Sequence, residues 1–208
     1  MMLLELYCAL VIAIAFGGEA MFGFGGGLLA VPLLSVMLDV QEAVILVSIF
    51  QFLLGFLIFK NYRAVAWSLM PPLLIGMLAG VCVGTLALSV MSQTGLRFTL
   101  AAFIGAFLLK TQIAPELGVR SPSLVVGGVS GFLGGFFQGC LSMGGPNVVM
   151  YLKRLVRDPR AFWASMIFWL SVANVVRIPF SEVQGLYSPF VWSLLNEAGF
   201  INSKAQGL

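Results

Sequence analysis

Phe22-Gly23-Phe24-Gly25-Gly26-Gly27-Leu28-Leu29-Ala30-Val31-Pro32-Leu33-Leu34 is apolar enough to sit in a bilayer, yet it holds four glycines and a proline within ten residues. Glycine costs a helix interior about 1 kcal/mol and proline about 3. A membrane segment that breaks its own helix must hide the freed backbone groups in protein or around a polar cavity. A looser echo returns as Gly139-Cys140-Leu141-Ser142-Met143-Gly144-Gly145-Pro146-Asn147-Val148-Val149-Met150-Tyr151-Leu152. Two such breaks, one in each half of the chain, predict a transport site.

Composition sets the class around them. The chain is 60% hydrophobic and 9% charged, with a mean hydropathy of +1.05, whereas a soluble domain carries roughly 25% charged residues. This predicts an all-α polytopic membrane protein. The net charge of +3 lies in short loops and reads as membrane orientation rather than nucleic-acid binding. Histidine is absent, which removes most zinc and haem sites and every Ser-His dyad. No cofactor or metal is expected. Cys140-Leu141-Ser142 lacks nucleophile-elbow spacing, so the chain does not read as an enzyme. The three cysteines, Cys8, Cys82 and Cys140, read as buried small residues.

Apolar runs divide the chain. Residues 3–22 form a first helix and 28–38 a segment half as long, followed by an acidic loop at 39–42. Spans follow at 44–59, 68–90 and 96–109, and a linker at 111–123. The second half repeats the opening with 124–138, a break at 139–146 and a short arm at 147–152. A strongly basic loop at 153–160 precedes a span at 161–178. The start carries Glu5 and no base before Lys60, so it reads as a retained membrane segment and not a signal peptide.

Lys and Arg collect on the cytoplasmic side. That rule puts the loops at 60–63, 110–120 and 153–160 inside, and the acidic loop and the N-terminus outside. Three crossings separate the two broken segments, so each reads as a re-entrant helical hairpin, one from each face. The result is an inverted repeat, residues 1–110 and 124–208. If the second arms start near Leu28 and Pro146, their N-termini face the breaks with unpaired N–H groups. Gly25, Gly26, Gly27, Gly144 and Gly145 would let an anion approach that backbone, and Pro146 suits a first helical turn.

Other polar residues are candidates beside these. Glu19 lies in an apolar helix just before the glycines and either couples anion movement to protons or reaches water near the interface. Arg177 either offers an anion its guanidinium fork or snorkels from a span end. Gln138, Ser142 and Asn147 bind substrate or satisfy freed backbone. Gln51 and Asn174 read as interhelical hydrogen bonds, and Gly76, Gly80 and Gly84 as a close-packing face.

The run from Gly23 to Leu34, with its Val31-Pro32-Leu33-Leu34 end, and the second-half Gly144-Gly145-Pro146 resemble the sulfite exporter TauE/SafE family of membrane permeases. The resemblance covers residues from about 10 to 178. It implies a bacterial inner-membrane permease for small sulfur-containing anions such as sulfite or sulfonates. The partners it implies are the lipid bilayer and a small anion; a coupling proton rests on Glu19 alone, and a homo-oligomer is left open. Superimposing Gly26-Gly27 on Gly144-Gly145 gives an offset of 118, which maps Gly76, Gly80 and Gly84 onto Leu194, Ala198 and Asn202. On that register the second repeat lacks its last spans. The alternative to a transporter is therefore a truncated, non-transporting chain or a subunit that needs a partner.

Overall fold

The computed structural model describes residues 2–55, 62–113 and 123–186. Eight α-helices lie among them and no strand: α1 Met2–Phe22, α2 Gly26–Leu34, α3 Val40–Leu54, α4 Met70–Val90, α5 Gln93–Ile113, α6 Leu124–Leu141, α7 Gly145–Leu155 and α8 Pro159–Val183. Three stretches are long and apolar enough to cross a membrane: Trp67–Val90, Leu124–Leu141 and Pro159–Val183. Leu6–Phe22, Val40–Leu54 and Gln93–Leu109 are shorter apolar helices. The end of the expected 44–59 span, most of the linker and everything beyond residue 186 lie outside the described residues.

Both breaks fall where the glycines predict, with the second arms starting at Gly26 and Gly145 rather than Leu28 and Pro146. Each long arm ends in a left-handed residue, Gly23 at φ 83° and Ser142 at φ 56°. Such a residue turns the chain so that the last carbonyls find donors. Glu19 O accepts from Gly23 N at 2.7 Å, and Gln138 O from Ser142 N at 3.0 Å. Gly25, at φ 102°, precedes α2, and Pro146 sits in the first turn of α7. Short arms of 9 and 11 residues follow, about 14 and 16 Å long.

The helix starts share one spacing. Gly26 and Gly145 open α2 and α7, and Val40 and Pro159 open α3 and α8, so both pairs are 119 residues apart. Asp39 and Asp158, also 119 apart, stand at the N-caps of α3 and α8. The expected offset of 118 is thus one residue short, because it pairs Gly26 with the N-cap Gly144 instead of with Gly145. At 119, the partners of Gly76, Gly80 and Gly84 become Leu195, Gly199 and Ser203, outside the described residues.

Two helix pairings hold these pieces together. α4 and α6 are the most extensively packed pair, and they run parallel. A Cβ on Gly76, Gly80 or Gly84 would strike the backbone of Gly128, Phe132 or Phe136. Conversely, one on Gly131, Gly135 or Gly139 would strike that of Leu73, Met77 or Val81. Lipid tails supply no hydrophobic drive between helices, so association rests on such close backbone approach. The glycine face of α4 is as expected; its counterpart on α6 adds the partner. α3 and α8 instead run antiparallel, with Ser48 beside Arg177, Gln51 beside Asn174 and Gly55 against Ser171.

Candidate functional site

The site begins with the glycines of the first break. Gly27 lies so close to the second break that a Cβ there would run into the carbonyl of Ser142, with Gln51 Nε2 at 3.3 Å. A Cβ on Gly26 would meet the Glu19 carboxyl, which faces the backbone N–H groups of Gly26 and Gly27. The N-terminus of α2 therefore faces a carboxyl group supplied by its own chain, at a place where a helix N-terminus favours an anion. At the second break Gln138 does the corresponding work, its Oε1 accepting from Gly144 N at 3.0 Å. Glu19 and Gln138 are 119 residues apart.

Gln51 of α3 connects the two. Its Oε1 accepts from Gln138 Nε2 at 2.7 Å and from Asn174 Nδ2 at 3.3 Å, while its Nε2 donates to Glu19 Oε2 at 3.4 Å. Beside this chain, Arg177 Nη1 donates to Ser48 Oγ at 2.6 Å and also to Ser142 Oγ. Ser142 Oγ further bonds Val44 O at 3.0 Å. Its counterpart Gly23 packs on Trp163, Cα 3.3 Å from an added Cβ, and Val44 and Trp163 are again 119 apart. Trp163 Nε1 donates to Ala20 O at 2.8 Å, serving a carbonyl at the end of α1.

Glu19, Ser48, Gln51, Gln138, Ser142, Asn174 and Arg177 are all at most 3% exposed. Glu19 does not reach water at an interface, and Arg177 does not snorkel. A charged residue at a membrane helix centre costs about 2.5–3.5 kcal/mol on insertion scales. Interhelical hydrogen bonds return only about 0.6 kcal/mol each. Bonds to a charged group are worth more, about 1.5–3 kcal/mol, so Gln51 Nε2 and the backbone of Gly26 and Gly27 offset part of that cost at Glu19.

The structure thus brings together Glu19, Gly26, Gly27, Gln138, Ser142, Gly144 and Arg177. Gly25 and Gly145 shape the two breaks, with a Cβ on Gly145 standing 3.4 Å from Phe24 Cβ. Asn147 is set apart. Half-buried, with Nδ2 lacking a partner, it lines a separate cleft of about 520 Å³ with Phe98, Phe103, Phe107 and Phe137. Sequence reasoning missed Ser48. Its signal was spacing: Ser48 precedes Gln51 by three residues in an apolar helix, as Asn174 precedes Arg177, and such pairs share a face. Among the described residues no group of His, Cys, Asp and Glu could hold a metal ion.

No curated protein and no solved structure matches this chain. A family model, sulfite exporter TauE/SafE, matches residues 8–200. The match continues past residue 178, so the likeness extends further into the second half than the motifs alone indicated. The chain belongs to the sulfite exporter TauE/SafE family, a family of membrane transporters for sulfite and related sulfur anions.

Proposed function

We propose that this chain is a secondary permease for sulfite or small sulfonates, with the anion held between the starts of α2 and α7. The carrying observation is the meeting of the two breaks: Gly27 against the Ser142 carbonyl, Gln51 bonded to Gln138 at 2.7 Å, and Arg177 buried beside them. Two helix N-termini and one guanidinium supply the donors and positive potential that a sulfonate or sulfite oxygen needs. The glycines keep side chains off that backbone.

An inverted repeat supports alternating access around this point. Equivalent helices α3 and α8 run antiparallel, as a two-fold axis lying in the membrane plane would require. The parallel pairing of α4 with α6 agrees with loop charges that start both helices on the cytoplasmic side. That reading puts the N-terminus outside, in a bacterial inner membrane.

The test is flux of labelled sulfite into proteoliposomes containing the purified chain. Uptake well above that of empty vesicles is expected, lost on Gly26→Leu while the protein remains in the membrane. Flux equal to empty vesicles would sink the reading.

A further inference from the structure

The hydrogen bonds around Glu19 have a fixed polarity. Gly144 N–H can only donate, so Gln138 must turn its amide oxygen to it and its Nε2 toward Gln51. Gln51 must then accept on Oε1 and present Nε2 to Glu19. The remaining groups on the carboxylate, Gly26 N–H and Gly27 N–H, are also donors. Among the described residues, every group set against the Glu19 carboxyl therefore offers hydrogen and none accepts one. A carboxylic acid placed there would find no acceptor for its O–H among these groups, and it would accept their hydrogens more weakly than a carboxylate does.

The rest of the surroundings leave this polarity intact. α2 carries no titratable side chain, and Glu42 of α3 stands in its first turn, far from Gln51. On α1 the nearest titratable side chain is Cys8, about three turns away. Cys140, Tyr151, Lys153 and Arg154 of α6 and α7 make no bond to the carboxyl among the described residues. The ionisable groups of α8 are Arg160, Arg177 and Glu182, of which Arg177 bonds Ser48 and Ser142.

We infer that the Glu19 carboxylate is a tethered stand-in for the transported anion. It occupies the α2 N-terminus when the site is empty, and it must take up a proton and leave for the anion to bind there. This rests on the reading of the breaks as the anion site. Charge balances. The carboxylate gains a proton from water reaching the site and becomes neutral, and the incoming anion restores the single negative charge facing Gly26, Gly27 and Gln51. When the anion departs, Glu19 releases the proton and reclaims the donors. Each anion therefore moves with one proton. Gln138, the partner at the α7 N-terminus, cannot titrate, so the coupling is confined to one break.

The probe is methanesulfonate, which carries no proton of its own near neutral pH, added to the purified chain in weak buffer with a pH-indicator dye. Binding to the wild type should take up about one proton per anion, with the apparent Kd weakening about tenfold per pH unit where Glu19 is ionised. Glu19→Gln should bind with no proton uptake and no pH dependence, and Glu19→Asp should restore both. Proton uptake unchanged in Glu19→Gln, or wild-type binding without uptake, would overturn the proposal. If Glu19→Gln does not fold, wild-type uptake and the Glu19→Asp pH profile decide it alone. Failure of the wild type to bind either methanesulfonate or sulfite would instead overturn the anion site beneath it.

Discussion

Gln51 and Gln138, 87 residues apart, share a buried hydrogen bond of 2.7 Å that joins the first break to the second. Gln51 reaches Glu19 with its other amide atom, and Gln138 reaches the backbone of Gly144. A change at either glutamine is therefore felt at both helix starts.

Gln51→Leu and Gln138→Leu should each reduce sulfite flux about tenfold or more, equivalent to 1.4 kcal/mol of barrier. The double variant should be little worse than either single one, since residues in one network are not additive. Initial rates in proteoliposomes, normalised to protein incorporated, give the comparison. Additive losses would show that the two glutamines act separately.

The glycines at the breaks should differ in tolerance. Gly27→Ala drives a methyl into the Ser142 carbonyl and should abolish flux. Gly145→Ala meets only ordinary contacts, with Phe24 Cβ at 3.4 Å and Met166 Cε at 3.9 Å, and should retain most of it. Equal loss in both would mean that the crowding at Gly27 is not what matters.

Arg177→Lys keeps the charge but loses the planar guanidinium, whose Nη1 alone serves both Ser48 and Ser142. It should raise the KM for sulfite several-fold, and Arg177→Ala should remove measurable transport. Ser142→Ala should fall between them, losing the hydroxyl while leaving the cation. Full transport by Arg177→Ala would exclude the guanidinium from the site.

The packing glycines should separate by thermal unfolding in detergent. Gly80→Leu would press into the backbone of Phe132 and Phe136 and should destabilise by about 1–3 kcal/mol or more, the usual cost of overpacking. Gly17→Ala has nothing within 4 Å of its new methyl and should be neutral or gain up to about 1 kcal/mol of helix propensity.

Single cysteines at exposed Met37 and Arg157, in a chain lacking Cys8, Cys82 and Cys140, should react with an impermeant maleimide from opposite sides of the membrane. Labelling from one side would refute the arrangement of hairpins drawn from loop charges.

Much of this fold was legible because glycine and proline act locally. The breaks, the first-turn Pro146 and the Gly76-Gly80-Gly84 face all follow from backbone preference and helical spacing. The pairing of Gln51 with Gln138 was not, because register between helices so distant in sequence is set by packing. The kinship of Glu19 with Gln138 was hidden by one residue. The eye aligns Gly26-Gly27 with Gly144-Gly145, whereas the helix starts align Gly27 with Pro146, which then places Glu19 on Gln138. Ser48 was invisible as a lone hydroxyl and became meaningful once Arg177 was seen to lie against it.

The bare seam between α4 and α6 has a mechanical meaning. Where main chain rests on main chain, no side-chain rotamers are available to change places, and any slide would drive carbonyls into one another. The two helices must travel as a single strut that ties the first half of the chain to the second. Whatever rocks during a transport cycle then pivots along the seam of α3 and α8, where side chains can exchange partners. A covalent cross-link fastening α4 to α6 should cost the protein no activity, while one fastening α3 to α8 should stop it.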